Sequence, residues 1–110
     1  MASYHHGSLR TALLSAAEKI LQREGINALT LRAAAREAGV SHTAPAHHFN
    51  DLAGLLSALA ASGFGRLHDF ARAEAGNAES KDQLLAHARG YIAFARGHPE
   101  LFKLMFRSER

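Results

Sequence analysis

The sequence predicts an all-α protein, and three observations support this fold class. Alanine and leucine dominate a 110-residue chain with only two prolines, and both residues favour helices. Apolar residues recur at helical spacing, and glycines or capping side chains separate the periodic segments. With 47% hydrophobic residues, the chain has enough apolar surface for a modest core and is not expected to be disordered.

The first helix is predicted from Ser8 or Leu9 to Glu24. Ser8 is a suitable N-cap, and Gly25 stands where a left-handed residue usually follows a helix. The apolar positions that share one face of this helix are Leu13, Ala17, Ile20 and Leu21.

A short second helix is predicted after Thr30, which is placed to cap it. Gly39 ends this helix and Val40 packs at the turn. Ser41 is predicted to cap a third helix over about His42 to Phe49. The stripe expected to be buried on the second helix is Leu31, Ala34, Ala35 and Ala38.

The segment 30–49 has the pattern of a helix-turn-helix, which places its second helix in the major groove of DNA. Such a motif needs a small residue where the helices cross, supplied by Ala35, and a turn residue that tolerates positive φ, supplied by Gly39. Pro45 is tolerable only near the start of a helix. An ordinary αα-hairpin inside a helical bundle is the alternative that this spacing leaves open.

Three further helices follow the break at Asn50. Asp51 is expected to cap a long fourth helix that ends at Gly76 and Asn77, with Gly63 and Gly65 weakening its centre. Its predicted apolar side is Leu52, Leu55, Leu56, Leu59, Leu67 and Phe70.

The segment 80–83 has the pattern of a capping box for a fifth helix. The segment 97–99 stops that helix, and a last helix is predicted from Glu100 to Arg107. The predicted apolar face of the fifth helix is Leu84, Ala88, Tyr91, Ile92 and Ala95; that of the last helix is Leu101, Phe102, Leu104, Met105 and Phe106.

Composition excludes several functional classes. Without cysteine, neither a disulfide framework nor a thiolate zinc site is possible. No Gly-rich phosphate loop, plausible Ser-His-Asp set or metal box is present, so we expect no enzyme, no cofactor and no metal. No apolar run approaches about 18 residues and no secretory signal is evident, so we expect a cytoplasmic protein with no membrane partner. The net charge of +3 permits nucleic-acid binding without requiring it.

Two separate groups of motifs resemble the TetR-type (tetracycline-repressor-like) transcriptional regulators. The first group is Tyr4-His5-His6-Gly7-Ser8-Leu9-Arg10, Ala28-Leu29-Thr30-Leu31-Arg32, Ala38-Gly39-Val40-Ser41, His48-Phe49 and Leu55-Leu56. The second is the segment 90–106, which resembles the TetR subgroup with a WHG-type C-terminal domain. The resemblance implies an effector-responsive repressor that binds a palindromic operator in double-stranded DNA as a homodimer.

The resemblance also implies site residues. Arg32 is expected to contact a phosphate or a base, although a solvated surface arginine is the alternative. The histidine pair 47 and 48 is assigned to phosphate contact or packing rather than to a metal, because adjacent helical residues point about 100° apart. The predicted DNA-binding residues are Thr30, Arg32, Ser41, His42, Thr43, Ala44, His47 and His48.

For the second half of the chain, the resemblance implies an effector pocket lined by Tyr91, Phe94, His98 and Phe102. Core packing explains the same apolar stripe without a ligand. We divide the chain into a DNA-binding domain at 1–50 and an incomplete regulatory domain at 51–110. Family members run to about twice this length, so we expect a truncated chain whose homodimerisation is doubtful.

Two residues depart from the family's pattern. Ala46 stands where the family usually has a tyrosine, and Leu52 stands where it usually has a lysine. Both missing groups normally contact phosphate, so the sequence predicts weakened DNA binding. A truncated interaction module that has lost DNA binding and pairs with a full-length partner is the alternative function.

Overall fold

The computed structural model describes residues 6–76 and 79–107, and the regular structure in these ranges is helical. The all-α prediction is confirmed. None of the helices within these ranges combines the length and apolar character needed to cross a bilayer. The helices are α1 (His6–Glu24), α2 (Leu31–Ala38), α3 (Ala44–Phe49), α4 (Leu52–Ala75), α5 (Gln83–Gly97) and α6 (Pro99–Met105), with 3₁₀ turns at Ile26–Ala28 and Ser80–Asp82.

The chain divides into two compact units, with the boundary between Leu59 and Ala60 inside α4. The first unit holds α1, α2, α3 and the beginning of α4. The second holds the rest of α4 together with α5 and α6. The predicted domain boundary after residue 50 stays a prediction.

The core of the first unit forms where α1 packs on α2. The predicted apolar face of α1 is confirmed, because all four of its residues are buried. On α2, Ala34 and Ala35 are fully buried, whereas Leu31 and Ala38 are only half-buried. The remaining apolar residues buried in this unit are Ala16, Leu29, Pro45, Phe49, Leu55 and Leu59.

The two ends of α1 differ from the sequence-based prediction. The helix already includes His6, so Ser8 lies within it and the N-cap prediction is wrong. A serine's preference for the cap is worth only about 1 kcal/mol and does not by itself decide where a helix begins. Gly25 has the positive φ expected after the helix, at 91°, but its ψ of 171° is extended rather than left-handed. This region of backbone space is essentially restricted to glycine.

A surface ion pair joins the end of α1 to α2. The Arg23 guanidinium donates to Glu37 Oε1 at 3.0 Å and to Glu24 Oε2 at 2.7 Å. The hydrogen bond from Arg23 lowers the pKa of the Glu37 carboxyl, and the same bond is the largest cause that raises the pKa of Arg23. Both groups remain open to solvent, so the pair fixes geometry more than it stabilises the fold.

The second unit packs through small residues on α5. A Cβ on Gly90 would lie only 2.8 Å from the Ala71 Cα, so the absent side chain allows α5 to approach α4. The residues of α5 that are buried are Ala86, Gly90 and Phe94.

The predicted apolar face of α5 is therefore wrong. Leu84 is 84% exposed, and Tyr91 and Ile92 are each about half exposed. Two stripes compete on this helix, and the one with larger apolar side chains dominates any hydrophobicity pattern. Close helix packing selected the stripe with the smaller residues instead.

The start of α5 also differs from the prediction. The helix begins at Gln83 after the 3₁₀ turn, and Asp82 occupies the N-cap position without a side-chain bond to the backbone. The predicted capping box over 80–83 is therefore wrong. The turn is closed instead by the Asp82 amide, which donates to the Glu79 carbonyl at 2.8 Å. Because this bond starts a 3₁₀ turn, the helix begins later than the side-chain pattern suggests.

The ends of the other helices follow the prediction more closely. The stop between α5 and α6 is confirmed, because α5 ends at Gly97 and α6 begins at Pro99. α4 runs without interruption to Ala75, and Asn77 lies outside the described residues. The last helix ends at Met105, two residues before the predicted end. Outside α5, the members of the predicted stripes that are exposed rather than buried are Leu52, Phe70 and Phe106.

Substitution of two glycines tests this packing. We expect Gly90→Ala to destabilise the protein by about 1–3 kcal/mol, because its methyl group would overlap the Ala71 backbone. Gly65 in α4 is the control, since a Cβ there meets no atom within 4 Å. Gly65→Ala should stabilise by about 0.5–1 kcal/mol through helix propensity alone. Urea unfolding followed by circular dichroism measures both, and an unchanged or more stable Gly90→Ala would contradict the close approach.

Candidate nucleic-acid interface

The first helix of the predicted motif has the expected cap. Thr30 is extended, with φ −136° and ψ 164°, and its Oγ1 accepts a hydrogen bond from the Ala33 amide at 2.9 Å. The N-cap prediction is confirmed. The first amides of α2 have no partner within the helix, as at any helix N-terminus, so this end favours an anion.

The turn between α2 and α3 depends on Gly39. Its φ of 73° and ψ of 34° are left-handed, as predicted for a glycine at this position. The Val40 amide donates to the Ala35 carbonyl at 3.0 Å, which closes the end of α2. Ala35 is fully buried, in agreement with its predicted role as the small residue at the helix crossing.

The second helix of the predicted motif, α3, begins at Ala44, two residues later than predicted. Ser41 is not its N-cap; its hydroxyl lies 3.1 Å from the Thr43 hydroxyl instead. Pro45 explains the difference. In a helix that began at His42, Pro45 would lose the amide bond to Ser41 and its ring would meet that carbonyl. With the start at Ala44, Pro45 falls in the first turn, where no amide is required.

The structure places the predicted DNA-binding residues on α2, the turn and α3, all within the first unit. Those with exposed side chains are Thr30, Arg32, Ser41, His42, Thr43 and His47; Ala44 and His48 are half-buried. Because α3 starts at Ala44, His42 and Thr43 lie in the turn that leads into it. The contacts of these residues with DNA stay predictions.

The two histidines of α3 lie edge to face. The ring centroids of His47 and His48 are 5.4 Å apart at an interplanar angle of 84°. The His48 ring continues to Phe49 at 6.2 Å. Over the described ranges, no group of three or more His, Asp or Glu side chains could hold a metal ion.

A tight joint follows α3. Asn50 has φ 77° and ψ −62°, and the Asp51 amide donates to the Phe49 carbonyl at 2.9 Å, which forms a strained γ-turn. Asp51 Oδ1 accepts from the Gly54 amide at 2.8 Å, so the predicted cap of α4 is confirmed. A Cβ on Gly54 would stand 1.9 Å from the Phe49 oxygen, so only glycine allows this approach.

Both departures from the family's pattern are at the surface. Ala46 is exposed on α3, and Leu52 is 36% exposed at the start of α4. Larger polar side chains at these two positions would reach solvent without entering the core.

Sequence reasoning did not assign Arg10 a role. The structure places its Cζ 5.0 Å from the centroid of the Phe49 ring. No local sequence pattern could have revealed this contact, because α2 and most of α3 separate Arg10 from Phe49 along the chain.

The predicted effector residues all lie in the second unit. Tyr91 and Phe102 line an open groove of about 390 Å³ together with Ile92, Ala95 and Arg96. Phe94 is buried, and its ring stacks on His98 with centroids 4.5 Å apart. A role of these four residues in effector binding stays a prediction.

Comparison with known proteins finds a family match for part of the chain. Residues 13–59 match the family of bacterial regulatory proteins described as the tetR family. A solved protein of unknown function from Rhodococcus sp. RHA1 is 48% identical, with a TM-score of 0.83, over 96% of this chain and 56% of its own. A TetR-like transcriptional regulator from the same organism is 20% identical, with a TM-score of 0.76, over 96% of this chain and 58% of its own.

The lower-identity likeness shows the fold alone. This chain spans a little over half the length of the two solved proteins. Among proteins of curated function, no sequence matches it.

Restoring the two missing side chains tests how α3 and α4 approach DNA. The double variant Ala46→Tyr, Leu52→Lys should bind random-sequence duplex more tightly than wild type. The slope of log K against log salt should steepen by about 0.9, because one added lysine–phosphate contact releases condensed counterions. Fluorescence anisotropy at several salt concentrations measures both quantities.

The matched control for that variant carries the same net charge elsewhere. Ala46→Tyr, Ala73→Lys places the lysine at an exposed position near the C-terminal end of α4. An equal slope in the two double variants would mean that the start of α4 does not approach the DNA backbone.

Proposed function

We propose, from the premise that residues 13–59 belong to the tetR family of bacterial regulatory proteins, that this chain is a repressor released from its operator by a small effector. The family is one of transcriptional regulators rather than enzymes, and the matched segment is its DNA-binding domain. One observation supports the proposal most: inside that segment, Gly39 turns a capped α2 into a short α3 whose leading residues are exposed.

Phosphate contacts position the helix pair in this proposal. The amides at the N-terminus of α2 bind one phosphate while the Thr30 side chain holds the cap. Arg32 is exposed beside them and reaches either a second phosphate or a base edge. His47 and His48 supply further phosphate contacts from α3.

Base contacts come from the residues that lead into and begin α3. The methyl groups of Thr43 and Ala44 suit a thymine methyl, and His42 can donate to a guanine acceptor in the major groove. Docking of a recognition helix by its N-terminal residues is the usual geometry of this motif. Because α3 begins at Ala44, two of these three proposed contacts would come from the turn.

Two further parts of the proposal concern assembly and regulation. A homodimer would read a palindromic operator, because its two-fold symmetry repeats the half-site one helical turn of DNA away. The open groove beside Tyr91 and Phe102 is the proposed effector site, since its lining is mostly apolar with one arginine. The alternative of an interaction module that has lost DNA binding is not favoured.

Selection from a random duplex library tests the function. We expect retained duplexes to share a sequence, arranged as an inverted repeat if the chain pairs. Placing the selected site at a reporter promoter should lower expression when the chain is present, whereas a rise would identify an activator. Failure to enrich any sequence, together with no duplex binding at about 50 mM salt, would refute the proposal.

Arg32 is tested on the selected site. Arg32→Ala should cost about 1–3 kcal/mol on that site and less on random duplex, if the guanidinium reads a base edge. Arg36 is an exposed arginine one turn further along α2, and Arg36→Ala should leave the ratio of the two affinities unchanged. Equal losses of Arg32→Ala on both duplexes would restrict Arg32 to phosphate contact.

A further inference from the structure

We infer that Arg10 is a further phosphate-binding residue of the DNA interface, held at the C-terminal end of α3 by the ring of Phe49. The inference rests on the proposed DNA binding and adds a contact from α1, a helix outside the predicted motif. It names one partner, the sugar-phosphate backbone of double-stranded DNA.

The geometry gives Arg10 a fixed but open position. Its side chain is exposed, and its Cζ lies 5.0 Å from the centroid of Phe49, the last residue of α3. Phe49 itself is 6% exposed, so the ring that holds the guanidinium is part of the core. A guanidinium over an aromatic ring keeps the N–H groups at its edge free to bind an oxyanion, and its fork of donors suits bidentate binding of phosphate.

Arg10 forms no ion pair among the described residues. Arg23, by contrast, is held by the carboxylates of Glu24 and Glu37. Within the ranges 6–76 and 79–107, no carboxylate forms an ion pair with Arg10. Asp51, the first acidic residue after α3, accepts the Gly54 amide at 2.8 Å. Arg10 therefore binds a phosphate without first breaking an ion pair.

Arg10 also continues a row of groups that begins with predicted DNA contacts. From His47 the rings of His48 and Phe49 follow at 5.4 and 6.2 Å, and the Arg10 guanidinium covers the last ring. The row brings a permanent positive charge to the end of α3. The ring contact already restricts the long arginine side chain, so less rotamer freedom is lost when a phosphate binds.

In this proposal, Arg10 partly offsets the two departures from the family's pattern. Ala46 and Leu52 supply no phosphate contact at the end of α3 and the start of α4. Arg10 reaches the same end of α3 from another helix, and it is always charged. The positive charge of Arg10 on α1 would thus replace part of the phosphate binding that Ala46 and Leu52 do not supply.

The test compares wild type with Arg10→Gln on a random-sequence duplex, because a phosphate contact carries no sequence information. Loss of one contact should reduce the slope of log K against log salt by about 0.9. The Kd of wild type should then rise about 3.5-fold more than that of Arg10→Gln between about 50 and 200 mM salt. Circular dichroism spectra and thermal midpoints establish that both proteins are folded.

Lys19→Gln is the matched control for the loss of one positive charge. Lys19 is exposed on the same helix, nine residues further along, which is two and a half helical turns and so the opposite face of α1. The slope of log K against log salt for Lys19→Gln should match that of wild type. Arg10→Lys keeps the charge without the planar guanidinium, so its salt slope should also match that of wild type, with weaker binding at every salt concentration.

Two negative results are distinguishable. If wild type binds no duplex even at low salt, the proposed function itself fails. If wild type binds but Arg10→Gln and Lys19→Gln give the same slope, DNA binding stands and the assignment of Arg10 is overturned. An Arg10→Lys slope as shallow as that of Arg10→Gln would also overturn it, because charge would then not be the property that acts.

Discussion

The placement of the whole candidate interface depends on the left-handed backbone conformation of Gly39 between α2 and α3. Residues with a side chain rarely adopt this conformation, whereas glycine does so readily. With φ at 73°, the chain leaves α2 at an angle that brings the Val40 amide to the carbonyl of the buried Ala35. Every residue proposed to contact DNA after α2 is positioned by this turn. The small side chain of Ala35 is the matching requirement, since helices that cross closely leave no space for a larger one.

Helix α3 has only six residues, too few to be stable in isolation. Its two ends are therefore fixed by residues that leave little freedom. Pro45 sets the start, since it can occupy the first turn but not the middle of a helix. At the other end, the γ-turn at Asn50 and the missing Cβ of Gly54 fix how the chain enters α4. Phe49 is buried and so anchors the helix, and the Arg10 guanidinium lies over its ring.

In the second unit, close packing of α5 against α4, rather than the hydrophobicity of the side chains, determined which face of α5 is buried. Gly90 turns toward Ala71 and leaves the larger Tyr91 and Ile92 in contact with solvent. When a helix has two apolar stripes, its sequence does not predict which stripe a neighbouring helix will cover, because both stripes have the same period. The outcome depended on the shape of the adjacent helix, which is information that no local segment contains. The exposed stripe also borders the groove proposed for an effector.

The sequence by itself determined several features whose cause lies within about four residues, although the caps predicted at Ser8 and Ser41 and the capping box over 80–83 were wrong. The cap at Thr30, the left-handed turn at Gly39 and the cap at Asp51 are of this kind, because one side chain or one permissive backbone decides each of them. The tertiary structure decided the rest: which face of α5 is buried, and that Arg10 lies over Phe49. These features depend on which distant segments meet, and contacts between residues far apart in the chain leave no periodic signal in the sequence.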